Sequence, residues 1–116
     1  MAEPERSEAD QAAVAARFGA APMPPEPSLK VGIARNVGTG LQPLNALRHR
    51  PEGDTSGWYV WAGEELSQDP DFFQPLHISH LSERCPEIGP YLALPPGWRV
   101  LLAPGQEDVW YDDTLL

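Results

Sequence analysis

The sequence has one cysteine, few basic residues and no long apolar run, and each shortage excludes something. Cys85 alone rules out an internal disulfide. Eight Lys and Arg against 17 Asp and Glu leave a net charge of −9. That balance disfavours nucleic-acid binding, because phosphate backbones are held by Lys and Arg that displace counterions. No stretch approaches the ~20 apolar residues that span a bilayer, so no membrane partner is expected. The N-terminus is acidic at once (Glu3, Glu5, Glu8) and has no basic region leading into an apolar run. A secretory signal is therefore not expected, and the cytoplasm is the default compartment. No phosphate loop, G-x-S-x-G, H-E-x-x-H or C-x-x-C pair occurs, and no cofactor is expected.

What is present argues for one small core. Of 116 residues, 41% are apolar and four are Trp, enough for a single domain. The 14 Pro and 10 Gly exclude a coiled coil, a long-helix bundle and an all-parallel sheet. Residues 1–28 read as a separate, mobile Ala/Pro-rich leader with one short helix. Ser7 caps that helix and Gly19 ends it, and Pro22, Pro24, Pro25 and Pro27 make an extended linker. Residues 29–116 read as a single domain.

Within that domain Leu29–Ala34 alternates as a half-buried strand does. Leu44–Arg50 and Trp58–Trp61 flank the strong turn signal Pro51-Glu52-Gly53-Asp54 and are expected to form a hairpin. Leu76–Ser79 reads as a strand end, and a short helix follows that stops at Cys85, before Pro86. Trp98–Leu102 and Val109–Tyr111 read as two further strands joined through Pro104-Gly105. The expected fold is α+β, a mainly antiparallel sheet of about five strands with one or two short helices.

The chemistry-bearing residues are few. His77, His80 and Cys85 are zinc-type ligands, with a fourth available from Asp69, Asp71 or Glu83, but no second close couple accompanies them. If 77–79 is extended, the two histidines face apart. Cys85 lacks any nucleophile motif, and a lone cysteine is more often a small buried apolar residue. The adjacent acids Glu64/Glu65, Glu107/Asp108 and Asp112/Asp113 project to opposite faces on a strand, so at most one of each pair joins a shared site. No catalytic or metal-binding residue is assigned.

Trp58 and Trp61 are three apart on one strand and face opposite sides. One of them, with Trp61 or its neighbour Tyr59 favoured, is expected to be exposed or covered by the leader or a partner. Exposed Trp and Tyr are what protein–protein contacts use most. The alternative is a sheet buried on both faces. Charge points the same way, since residues 52–116 carry twelve acids against Arg84 and Arg99, a field that speeds encounter with a basic partner.

Ser56-Gly57-Trp58, Gly63-Glu64-Glu65, Asp71-Phe72, Pro90-Tyr91-Leu92, Pro95-Pro96-Gly97-Trp98-Arg99 and Glu107-Asp108-Val109-Trp110 follow one another in an order that resembles a bacterial family. Its members were first described as a domain of unknown function and then proposed as immunity proteins of polymorphic toxin systems. The resemblance covers about residues 29–116, best from Ser56 onward, and leaves the leader out. Two departures stand out. The family's Asp-Ser-Gly-Trp appears as Asp54-Thr55-Ser56-Gly57-Trp58, one residue longer, and Asn36–Leu47 matches poorly.

The resemblance implies an α+β fold, a cytoplasmic setting and a non-catalytic protective role against a cognate toxin. The candidate partner-binding residues are Glu64, Glu65, Asp69, Asp71 and Trp61. Two rivals are an adaptor or secretion chaperone using the Pro-rich leader, and a metal- or thiol-dependent enzyme at His77, His80 and Cys85. The sequence leaves the oligomeric state open.

Overall fold

The computed structural model describes residues 3–64 and 71–116, with side chains described from residue 10. Helix α1 runs Glu3–Arg17, and the strands are β1 (Lys30–Ala34), β2 (Leu44–Arg48), β3 (Thr55–Ala62), β4 (Phe73–His77), β5 (Trp98–Ala103) and β6 (Gln106–Tyr111). Between β4 and β5 lie a 3-10 turn Ile78–His80, a one-turn helix α2 (Leu81–Arg84) and a second 3-10 segment Pro86–Tyr91; another 3-10 turn, Asp113–Leu115, follows β6.

The six strands form one sheet in the order β4-β1-β3-β2-β5-β6. The expected hairpin is present: β2 and β3 pair antiparallel, with Ala46 opposite Val60, across the turn at Glu52–Thr55. One pair departs from the antiparallel expectation. Because β2 folds back on the far side of β3, β3 comes to lie beside β1 in parallel. The sixth strand is β4, read from sequence only as a strand end; it forms an edge where the missing N–H of Pro75 is tolerated.

Register sorts the side chains into two faces. One row crosses every strand as Gln74, Ile33, Val60, Ala46, Val100 and Val109. Its apolar centre is the core, joined by fully buried Trp58, Leu81, Ile88 and Leu94. The helical layer lies against this face: Trp58 Nε1 donates to the Leu92 carbonyl at 3.1 Å, and Phe18 packs on Trp98 with ring centroids 6.5 Å apart. The neighbouring row points the other way and reads Pro75, Gly32, Tyr59, Leu47, Arg99 and Trp110.

Gly19 ends α1 as expected, with the Gly19 N–H on Ala16 O and the Ala20 N–H on Ala15 O. From the segment set apart in the sequence, Ala15 is fully buried, α1 packs on Pro86–Tyr91, and the Met23 N–H donates to Ala93 O at 2.7 Å.

Candidate functional site

Arg48 organises the ground on which the site stands. The alternation of β2 places it on the core face with Leu44 and Ala46, where it is 2% exposed. Its Nε donates to Ser56 O at 3.0 Å, and its Nη1 reaches Met23 O at 2.6 Å and Leu94 O at 2.9 Å. The guanidinium also lies 5.7 Å from the Trp58 ring centroid. Burial holds its pKa down to about 10. One buried cation thus links the leader, β3 and the segment before β5 through carbonyl oxygens. The Ser-Gly-Trp motif meets this link: Gly57 has φ +90°, its carbonyl accepts from the His49 N–H, and a Cβ there would stand 2.0 Å from His49 O.

The opposite face bears the aromatic cluster. Tyr59 and Phe73 are half-buried, with ring centroids 5.2 Å apart at 70°. Trp61 meets Phe73 at 6.3 Å and 82°, and His49 meets Tyr59 at 5.6 Å and 79°. Together with Leu47 these residues line a hollow of about 180 Å³. Farther along the same face, Trp110 is exposed with Arg99 stacked 5.4 Å from its ring, and Arg99 also donates to Asp112 at 3.1 Å.

Of the two readings of the tryptophans, the sheet buried on both faces holds and the exposed indole does not. Trp58 and Trp61 do face opposite sides, yet they are only 1% and 4% exposed. Both faces bury their tryptophan, Trp58 under the helical layer and Trp61 against Phe73, which sits opposite small Ala34 on the β1–β4 pair. Trp61 Nε1 is buried and has no hydrogen-bond partner among the described residues. Glu64 is exposed just beyond β3, beside a groove that also includes Asn45, Leu101 and Gln106. Asp71 is exposed two residues before Phe73, and its carbonyl accepts from Gln74. Glu65 and Asp69 lie outside the described residues.

The histidines and the cysteine do not converge on a reactive centre among the described residues. The 3-10 turn at Ile78–His80 replaces the extended backbone on which the histidines would face apart, and their rings are 6.2 Å from each other. His80 Nδ1 is 2.8 Å from Glu83, an exposed pair. Cys85 is buried, and desolvation pushes its thiol up to about 11, the reverse of what activates a nucleophile. No group of three or more His, Cys, Asp or Glu spaced to hold a metal occurs among the described residues. Asp69, one possible fourth ligand, lies outside them.

Glu107 and Asp108 split between the faces as alternation requires. Glu107 receives Arg17 Nη1 and Nη2, each at 2.9 Å, and the Tyr91 hydroxyl. These bonds, Arg17 first, hold its carboxyl below the usual range, while burial and the carboxylate push Tyr91 up to about 12. Asp108 stays on the open face, bonded to Gln106 at 2.7 Å.

A family model described as the Imm33-like domain matches residues 10–112. The chain belongs to the Imm33-like family. The match to the Imm33-like domain begins inside the leader that the motif resemblance left out, in the helix that carries buried Ala15. Neither curated proteins nor solved structures give a significant match to this Imm33-like chain. No helix among its described residues is long and apolar enough to cross a membrane.

Sequence reasoning had singled out Tyr59 and Trp61 but missed Leu47, His49 and Phe73 as their companions. The available signal was the alternation itself, which sets Leu47 and His49 on the face opposite Ala46 and Arg48.

Proposed function

We propose that the protein is a non-catalytic immunity protein that binds a cognate bacterial toxin in the cytoplasm and covers its working surface. The observation that carries this reading is the Imm33-like match over residues 10–112. The net charge of −9 supports a basic target, such as the active site of a toxin that cleaves nucleic acid. Half-buried Tyr59 and Phe73 and exposed Trp110 favour the open face of the sheet as the contact, because aromatic side chains anchor interfaces at little entropic cost. Glu64 and Asp71 border that face, with Glu65 and Asp69 between them in sequence, and Trp61 forms part of its hollow.

The test is to mix the purified protein with the toxin encoded beside it. Co-elution on size exclusion and loss of toxin activity are expected. Glu64→Lys should slow association and flatten its salt dependence. Separate elution with unchanged toxin activity would overturn the proposal.

A further inference from the structure

The hollow between Leu47, His49, Tyr59, Trp61 and Phe73 has a more specific chemistry than an apolar dent. Three aromatic rings border it, and the Tyr59–Phe73 and Trp61–Phe73 planes meet at 70° and 82°. Rings set steeply to one another in this way meet edge to face and leave an uneven surface rather than a flat stack. At about 180 Å³ the space is smaller than the ~300 Å³ at which small-molecule sites begin, and it suits one side chain.

The histidine in its lining has a readable tautomer. His49 Nδ1 lies 3.0 Å from the Leu115 carbonyl oxygen, which only accepts. Nδ1 therefore carries the hydrogen, and in the neutral ring Nε2 is left as an acceptor. An aromatic lining and a histidine with an acceptor nitrogen, on a chain of net charge −9, favour a positive occupant over an anion.

We propose that this hollow receives one cationic side chain, lysine or arginine, projecting from the partner protein. The proposal rests on the immunity reading for the identity of the partner. The rings hold the charge through their quadrupoles, His49 Nε2 accepts one of its N–H groups, and Leu47 covers the methylene stem. The grip thus needs no salt bridge at the bottom of the hollow.

Blocked tripeptides, acetyl-Gly-X-Gly-amide, test this with the full-length protein. X is Lys, Arg, norleucine or Gln, and the readout is the indole N–H resonance of Trp61, assigned with Trp61→Phe. Saturable shifts are expected with the Lys or Arg peptide, about tenfold tighter than with norleucine or Gln. Tyr59→Leu and Phe73→Leu, each checked for folding by circular dichroism, should erase that preference while leaving norleucine binding alone.

Norleucine binding as well as Lys and Arg would make the hollow a plain apolar pocket and overturn the proposal. Preference for Gln would assign it to an acceptor for the buried Trp61 N–H instead. The absence of saturable shifts with every peptide, up to its solubility limit, would also overturn it. Toxin binding measured alongside keeps the two readings apart, since an intact toxin complex with failed peptide binding removes only the cation receptor.

Discussion

Tyr59 lies across Gly32, its Cδ1 only 2.6 Å from where a Gly32 Cβ would stand. The bare backbone of β1 is what lets the ring of β3 reach over and meet Phe73 of β4. A glycine inside a strand often marks such a close approach. Gly32→Ala should push the ring aside, destabilise the fold by about 1–3 kcal/mol, and weaken partner binding beyond that loss. Urea unfolding gives the first effect. Association of the variant under conditions where it is fully folded gives the second.

Arg48 should be the most sensitive charged position among the described residues. It is buried, has no carboxylate partner among the described residues, and is held by the carbonyls of Met23, Ser56, Leu92 and Leu94. Arg48→Ala strands these acceptors and leaves a void, and should cost about 3–5 kcal/mol, much of a small domain's stability. Arg48→Lys should recover only part, because one ammonium cannot reproduce the spread of a guanidinium. Chemical denaturation curves of the two variants check the order.

The Arg17–Glu107 pair ties α1 to β6 and gives a pH dependence of defined sign. Arg17 and Tyr91 hold the Glu107 carboxyl below its unfolded value. Its contribution is therefore fully present above the unfolded pKa of a glutamate and is lost as pH falls through the lower, folded one. Arg17 is exposed, so salt screens the pair and the global stability should change little. Glu107→Gln should instead speed amide exchange in α1 at neutral pH and remove the extra acid-induced exchange there. Hydrogen exchange on both proteins measures it, and identical α1 protection would refute the role.

Cys85 should resist alkylation in the native protein and react stoichiometrically in guanidinium chloride. The residue is 1% exposed, and its thiol is raised to about 11 by desolvation, then by Glu87. Rapid labelling of the folded chain at neutral pH would revive the thiol-enzyme reading.

Much of this architecture was legible because strand alternation and turn chemistry are local. The hairpin across Pro51–Asp54, the helix stop at Cys85 and the final pair joined at Gly105 all follow from short-range signals. Neighbour order is not local. The parallel β1–β3 pair depends on where β2 lands, which period-two patterning does not specify. Arg48 stands in a stretch, residues 29–51, that has Lys30, Arg35 and Arg50 and no acid, yet its spacing from Leu44 and Ala46 puts it on the inward face. Which of the two readings of Trp61 holds is decided by tertiary structure, because its cover comes from Phe73 two strands away, across Ala34. The candidate site was therefore half legible: its strand was found, but the residues that turn Tyr59 and Trp61 into a hollow come from β2, β4 and the residue after β2.

The most direct test of the account is a titration of the neighbouring toxin's activity with this protein, at toxin concentrations well above the dissociation constant. An inhibitor that works by covering a surface gives a linear fall to a sharp end point at a fixed molar ratio, and releases active toxin when the complex is dissociated. Protection by far less than stoichiometric amounts, or toxin left permanently altered after separation, would mean that the protein acts by chemistry and would contradict the account.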